Sequence, residues 1–273
     1  MLDTYFFIPG DKQKYLDKID VVKSDYIVID LEDAVALKNK NEALELVLGL
    51  SLQPNCFVRI PFFENCYSNE QVAKLIQHFE GRIAVPKLSE KAEITQIKNL
   101  VPEIDLNMII LVENPLCIIN LVEIMKSFSS QIHGIGFGTH DFCSITGMKH
   151  TSENLDNYKR QLLLYAKAFN VNYIDGVDLD LKDFTQFKKE CVFAFEMGAS
   201  GKFLIHPKQI EKLREVAYLS DAELDELHSV YEIIKDIPDN MIEVYTIGGK
   251  VYEKPHIMRI KKVMRKIQEF SKN

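Results

Sequence analysis

Glu113 closes the run MIILVE, five apolar residues followed by a carboxylate, and a carboxylate there cannot point into a core without a partner. Other short apolar runs end in the same way. YIVIDLED ends in Asp30, Glu32 and Asp33, CFVRIP carries Arg59, RIAVPK ends in Lys87, and IGFGTHD ends in Gly138, Thr139, His140 and Asp141. YIDG holds Asp175, and KFLIHP holds His206. Carboxylates gathered from several such ends beside one Arg and one Lys would repel one another unless a cation or a charged substrate came between them. With no Cys or His cluster to supply softer ligands, oxygen donors would select Mg²⁺ or Mn²⁺. The chemistry this suggests is Lewis-acid polarisation of a carbonyl or hydroxyl oxygen, with the planar fork of Arg59 meeting carboxylate or developing negative charge. Glu32 and Asp33 would then hold metal-bound water or Lys87. Plainer roles are open to each residue. Asp33 and Asp141 precede helical segments as N-caps would, Asp175 sits in an Asp-Gly turn, Arg59 could form a surface salt bridge, and His206 could simply end a strand before Pro207.

These residues are spaced by an alternation that would place them together. Eight β-rich runs are expected as strands: Tyr5 to Pro9, Tyr26 to Leu31, Cys56 to Ile60, Arg82 to Pro86, Met108 to Glu113, Ile132 to Phe137, Val171 to Val177 and Lys202 to His206. Between them lie segments of helical period: Lys12 to Val22, Lys40 to Leu50, Asn69 to Phe79, Ala92 to Leu100, Leu116 to Phe128, Leu155 to Phe169 and Asp183 to Met197. Runs apolar on both faces of the pleat suit parallel strands covered by helices. Strict alternation with eight such strands predicts a single (β/α)₈ TIM barrel over residues 1–218, with catalytic groups at the C-terminal ends of its strands. The remainder, 219–273, departs from alternation. It reads as an appendage of a helix capped by Ser220 and Glu223, a β-like stretch turning at Gly248 and Gly249, and a last helix from Pro255. Too apolar to be a free tail, it is expected to pack on the barrel or on a neighbouring subunit.

Composition excludes several partners. A net charge of −7 with dispersed Lys and Arg offers no field for nucleic acid or anionic lipid, and no apolar run is long enough to span a bilayer. The basic run Arg259, Lys261, Lys262, Arg265 and Lys266 reads as a solvated helix face, with contact to an anionic ligand as the alternative. Five scattered cysteines without zinc or redox spacing, and no targeting segment, point to a reduced cytoplasmic protein.

The segments FFIPG, VIDLEDAV, VRIP, VPKLS, LVENP, FGTHDF, YIDGV, GKFLIHPKQI and KVYEKP, in this order from about Thr4 to Lys266, resemble the citrate lyase β-subunit-like family of the HpcH/HpaI aldolase superfamily. That family also includes malyl-CoA and citramalyl-CoA lyases. The resemblance implies Mg²⁺ at Glu113 and Asp141, the family arginine at Arg59 and lysine at Lys87, and a substrate among Gly138, Thr139 and His140. It further implies a homo-oligomer, expected as a trimer, in which Glu253 reaches a neighbouring subunit's site and moves a proton. Three positions depart from the family: His140 replaces an acidic residue, Lys12 stands where many members carry Arg near the CoA phosphates, and Glu253 stands for Asp. The expected activity is a carbon–carbon lyase cleaving or forming a citryl-, malyl- or citramalyl-type CoA thioester through a metal-chelated 2-oxo or 2-hydroxy acid. Two alternatives are a CoA-independent class II aldolase using pyruvate or oxaloacetate, and a barrel that binds a 2-oxo acid without turnover.

Overall fold

The computed structural model describes residues 1–270, with side chains through residue 268. Its larger unit spans residues 2–216. Eight parallel strands, β1 (Asp3–Pro9), β2 (Tyr26–Asp30), β3 (Cys56–Arg59), β4 (Arg82–Val85), β5 (Asn107–Val112), β6 (Ile132–Phe137), β7 (Asn172–Asp175) and β8 (Gly201–Leu204), form a barrel closed by pairing of β8 with β1. This is the (β/α)₈ fold that the alternation predicts. One residue set from alternate strand positions fills the interior: Tyr5, Val28, Phe57, Ala84, Ile109, Leu111, Ile174 and Phe203, all buried. Near the strand starts, Tyr5 stacks on Tyr26 at 4.5 Å and shares a 2.8 Å hydrogen bond with His133, which satisfies the one polar atom of a wholly buried ring.

Two local signals set the chain before the site. Asn114, directly after β5, caps the helix Pro115–Phe128 by accepting from Cys117 N at 2.9 Å, with Pro115 in the first turn. His206 caps Pro207–Arg214 in the same manner, so it starts a helix as well as following a strand. The segment 12–22 is not one helix but a short one, Gln13–Leu16, followed by a 3₁₀ turn, Ile19–Val21. Only Leu16 and Ile19 bury there while Val21 stays 73% exposed, and so narrow an apolar face cannot support a longer helix.

The second unit comprises the described residues from 217 to 270 together with Met1. Ser220 and Glu223 form the expected capping box on Asp221–Ile234. β9 (Tyr245–Ile247) and β10 (Lys250–Tyr252) form a hairpin whose turn residues Gly248 and Gly249 have φ of 56° and 77°, the left-handed pair that a two-residue turn requires. The helix Lys254–Phe270 buries Ile257, Ile260 and Met264 against Val230 and Ile234. The basic run on this helix is not uniformly solvated. Lys261 is 3% exposed, with its ammonium on the Ile237 carbonyl and 3.2 Å from Asp239.

Candidate functional site

Register pairs Asp30 at the end of β2 with Arg59 at the end of β3, and the side chains follow. Arg59 donates from Nε and Nη2 to the two Asp30 oxygens at 2.8 and 2.5 Å. Asp30 also accepts from the backbone N–H of Glu32 at 2.8 Å and of Ala34 at 3.2 Å, so a buried carboxylate has four donors. The edge of Arg59 that could grip a substrate bidentately is therefore spent on Asp30. Its Nη1 remains, 2.8 Å from Glu32, 3.2 Å from Asp33 and 4.0 Å from Glu113. Burial alone would depress the guanidinium's pKa, but Asp30, Glu32 and Asp33 raise it instead and keep the group cationic.

Lys87 holds the other side of the cluster. Its backbone has φ of 54°, rare for a residue with a side chain, and this turns its N–H onto Glu113 Oε2 at 2.7 Å. The ammonium meets Glu32 at 2.8 Å and Glu64, and lies 3.8 Å from Asp33. Glu32, 1% exposed between these two cations, is still pushed up to about 7 by burial, which outweighs the pull of Arg59 and Lys87. Glu113, 2% exposed, is pushed up to about 8 by burial and then by Glu32, with Asp141 adding to the rise. Burial and the neighbouring carboxylates thus outweigh the pull of Arg59 and the Lys87 N–H on Glu113.

Asp141 lies in the first turn of the helix Thr139–Thr146, which starts after β6. A cavity of about 410 Å³ gathers Asp33, Arg59, Glu113, Gly138, Thr139, His140 and Asp141 with Asp30 over an apolar floor that includes Phe7, Leu111 and Phe203. Of the barrel residues given a role from sequence, Arg59, Asp33, Glu113, Gly138, Thr139, His140 and Asp141 thus lie here, whereas Lys87 and Glu32 border the cavity, Lys87 through its contacts to Glu113 and Glu32. Glu253 belongs to the C-terminal unit, where it is exposed and its N–H donates to His256 Nδ1 at 3.1 Å. Among the described residues, the three carboxylates whose ligand atoms approach within 4.8 Å of one another are Glu32, Asp33 and Glu64. Arg59 and Lys87 already pair with that group, and the nearest cation to Glu113 among the described residues is Arg59 at 4.0 Å, while Asp141 lines the same cavity.

Gly138 is needed for space. A Cβ there would lie 2.4 Å from Cγ of Glu113 and 3.0 Å from its Oε1. Gly138→Ala is therefore expected to displace the Glu113 carboxylate from the Lys87 N–H and lower activity about 10²-fold, the scale set by misplacing a reacting group by about 1 Å. Steady-state kinetics with unchanged circular dichroism would check it, and wild-type kinetics would show that Glu113 can shift freely.

Several participants were not assigned roles from sequence. Asp30 stood among the strand-end residues, but its pairing depends on inter-strand register. Glu64 and His150 lie in loops without any pattern. His150 stacks on His140 at 4.1 Å and hydrogen-bonds Thr139 at 2.9 Å. Burial, and then His150, lower the His140 pKa. Asp175 is neither a rim residue nor a simple turn. Wholly buried, it would be raised by burial, yet Lys202 at 2.8 Å and Lys159 at 3.2 Å hold it down at about 2.

Comparison with known proteins agrees with this fold. Residues 3–207 match the HpcH/HpaI aldolase/citrate lyase family. A (3S)-malyl-CoA thioesterase of Cereibacter sphaeroides is 27% identical, covering 96% of this chain and 93% of that protein. The citrate lyase subunit beta of Leuconostoc mesenteroides subsp. cremoris is 26% identical over 96% of this chain and 92% of its own length. Among solved structures, CitE from Mycobacterium tuberculosis in complex with magnesium, acetoacetate and coenzyme A superposes with a TM-score of 0.77 at 22% identity, covering 97% of each chain. The matched segment runs from β1 through β8 to the residue after the His206 cap, and the chain belongs to the HpcH/HpaI aldolase/citrate lyase family.

Proposed function

We propose that the protein is a Mg²⁺-dependent carbon–carbon lyase that cleaves or forms a 3-hydroxyacyl-CoA thioester of the citryl, malyl or citramalyl type. The observation that carries this reading is Glu113, buried at the end of β5, fixed by the Lys87 N–H and lining one cavity with Asp141. Glu113 and Asp141 would hold the ion, and all-oxygen ligation suits Mg²⁺, with Mn²⁺ as a substitute. Bound there, the metal would polarise the oxo or hydroxy oxygen of the chelated acid. The acid's carboxylate would meet the first-turn N–H groups of Thr139–Thr146 beside Gly138, Thr139 and His140. Arg59 would face the enolate through Nη1, held rigid by Asp30. Asp33 and Lys87 would orient this arrangement, Lys87 by fixing both Glu113 and Glu32. The magnesium, acetoacetate and coenzyme A in the superposed CitE complex support the ligand class.

The test follows products from malyl-, citramalyl- and citryl-CoA. A lyase releases a 2-oxo acid and acetyl-CoA, whereas hydrolysis of the thioester releases free CoA and the hydroxy acid. The Cereibacter relative, a malyl-CoA thioesterase, makes hydrolysis the second reading. Aldehyde condensation with pyruvate or oxaloacetate in the absence of CoA would indicate a class II aldolase instead. Metal-independent binding without turnover would indicate a non-catalytic barrel.

The raised carboxyls set a pH dependence. In the metal-free fold Glu113 and Glu32 keep protons up to about 8 and about 7, which the unfolded chain releases near pH ~4.3. Their contribution to stability is full below that range and is lost as pH rises through about 7 and 8. Metal binding must displace the Glu113 proton. The rise in Tm on adding Mg²⁺ should therefore grow between about pH 6 and about pH 8.5. A pH-independent rise, measured by scanning fluorimetry, would place the ion elsewhere.

The same proposal makes the protein a cytoplasmic homotrimer in which Glu253 of one copy transfers a proton at the site of the next. All five cysteines are free, and among the described residues no helix is long and apolar enough to cross a membrane. On the C-terminal unit, Val244 and Val251 are 64% and 59% exposed, apolar surface that a neighbouring copy would cover. Glu253→Gln and Glu113→Gln should each be inactive alone and recover part of the activity when mixed, because some interfaces then pair two intact halves. No recovery after confirmed subunit exchange would refute the shared site.

A further inference from the structure

Lys40 is the first residue of the helix Lys40–Leu48, and it is buried. Both circumstances are unfavourable in themselves, because a helix N-terminus repels a cation and an ammonium taken out of water costs free energy unless its donors are met. The donors are met by the main chain that carries the acidic cluster. Lys40 Nζ donates to the carbonyl of Leu31 at 2.7 Å and to that of Glu32 at 2.8 Å. Tyr67, itself buried, donates to the Lys40 carbonyl at 3.0 Å and ties down the backbone from which the side chain reaches.

The two bonds complete the fixing of Glu32. The peptide joining Leu31 to Glu32 gives its carbonyl to Lys40 and its N–H to Oδ1 of Asp30 at 2.8 Å. The peptide after Glu32 gives its carbonyl to Lys40 and to the Val35 N–H at 3.1 Å. Since each peptide is planar, holding the two that flank Glu32 holds its φ and ψ, and with them the direction of its side chain. That side chain is thereby delivered between Arg59 Nη1 and the Lys87 ammonium, each at 2.8 Å. Asp30 alone does not achieve this, because it takes N–H groups of the turn and leaves the carbonyls. Arg59 Nη1 also stands 4.0 Å from Glu113. A displaced Glu32 would release this cation toward Glu113, where it would compete with a dication for the carboxylate.

We propose that Lys40 is a positioning residue for the metal centre: by fixing the peptides on both sides of Glu32 it keeps Arg59 on Glu32 and leaves Glu113 open to the ion. The proposal rests on Mg²⁺ binding at Glu113 and Asp141. Calorimetric titration of the full chain with Mg²⁺ reads the dissociation constant and the stoichiometry separately. Lys40→Met keeps the apolar stem and removes the donors, and it should weaken Mg²⁺ binding by roughly tenfold or more at unchanged stoichiometry, the scale of losing a group that orients a metal ligand from behind. Glu32→Gln, which removes the charge that holds Arg59, should do the same. The double variant should be little worse than either single one, because both changes act through one contact. A residue that only stabilised the fold would lower Tm and the fraction of chains able to bind, with the dissociation constant of the rest as in wild type. That result, or losses that simply add in the double variant, would overturn the role of Lys40 and leave the metal site intact. Should Lys40→Met not fold, Lys40→Gln, whose amide is polar enough for the buried position, carries the same comparison. No Mg²⁺ binding by the wild type, or undiminished binding by Asp141→Asn, would overturn the metal site and this role with it.

Discussion

Glu113→Gln should lower turnover by ~10³-fold or more while leaving the metal-free protein as stable as wild type, or more so. The two effects separate because the carboxylate costs the fold what it offers the metal. At 2% exposure and pushed up to about 8, Glu113 carries a proton in the metal-free protein near neutral pH, because burial, and then the neighbouring Glu32, make its charged form costly. A glutamine fills the same volume, and its carbonyl oxygen can still accept from the Lys87 N–H, now without repelling Glu32 or Asp141. What it cannot do is hold a dication. The Mg²⁺-dependent rise in Tm should vanish along with turnover, and Asp141→Asn should reproduce both losses. Either variant fully active in excess chelator would sink the metal assignment, and a variant that failed to fold would recast Glu113 as a structural carboxylate.

The barrel and most of the site rim were legible in the residues because they rest on local or periodic signals. MIILV followed by a carboxylate, Asn114 before Pro115, Ser220 three residues before Glu223, and paired glycines at 248 and 249 each state a requirement that few conformations meet. What escaped depends on distances along the chain that no periodicity encodes. The bidentate grip of Asp30 on Arg59 needs two strands 29 residues apart to pair in one register rather than another. Asp175 and Lys202, 27 residues apart, looked like a turn residue and an unremarkable strand lysine until the layer outside the barrel closed over both. The positive φ of Lys87 was likewise invisible. Neither Gly nor Asn occupies the position, and the strain is held by contacts to Glu113, Glu32 and Glu64. Polar groups at the rim are thus detectable by type, whereas the partners that neutralise them are fixed by topology.

Arg59 is where those two kinds of information meet, and its replacement should have the largest effect on the fold. Arg59→Met keeps most of the volume and the packing over Phe7, whose ring centroid lies 5.2 Å from the guanidinium carbon, but removes the charge between Asp30, Glu32 and Glu113. Asp30 would retain its two backbone donors and lose both guanidinium bonds at 3% exposure. Breaking a buried pair from one side strands the other charge, at a cost of about 3–5 kcal/mol. That corresponds to a fall in Tm of roughly 6–20 °C for a domain of this size, with little activity left. Removing the stranded charge as well should return part of the stability, so Arg59→Met with Asp30→Asn should be more stable than Arg59→Met alone yet equally inactive. Arg59→Lys should fall between, because one ammonium cannot span both Asp30 oxygens and still face the enolate, and kcat/KM should drop by roughly 10- to 100-fold. Denaturant unfolding and kinetics on the four proteins would decide the matter. If Arg59→Met lost activity at undiminished stability, the ion pair with Asp30 would carry no structural weight. If instead the double variant regained activity with its stability, the guanidinium would serve only to hold the fold and would not act on the substrate.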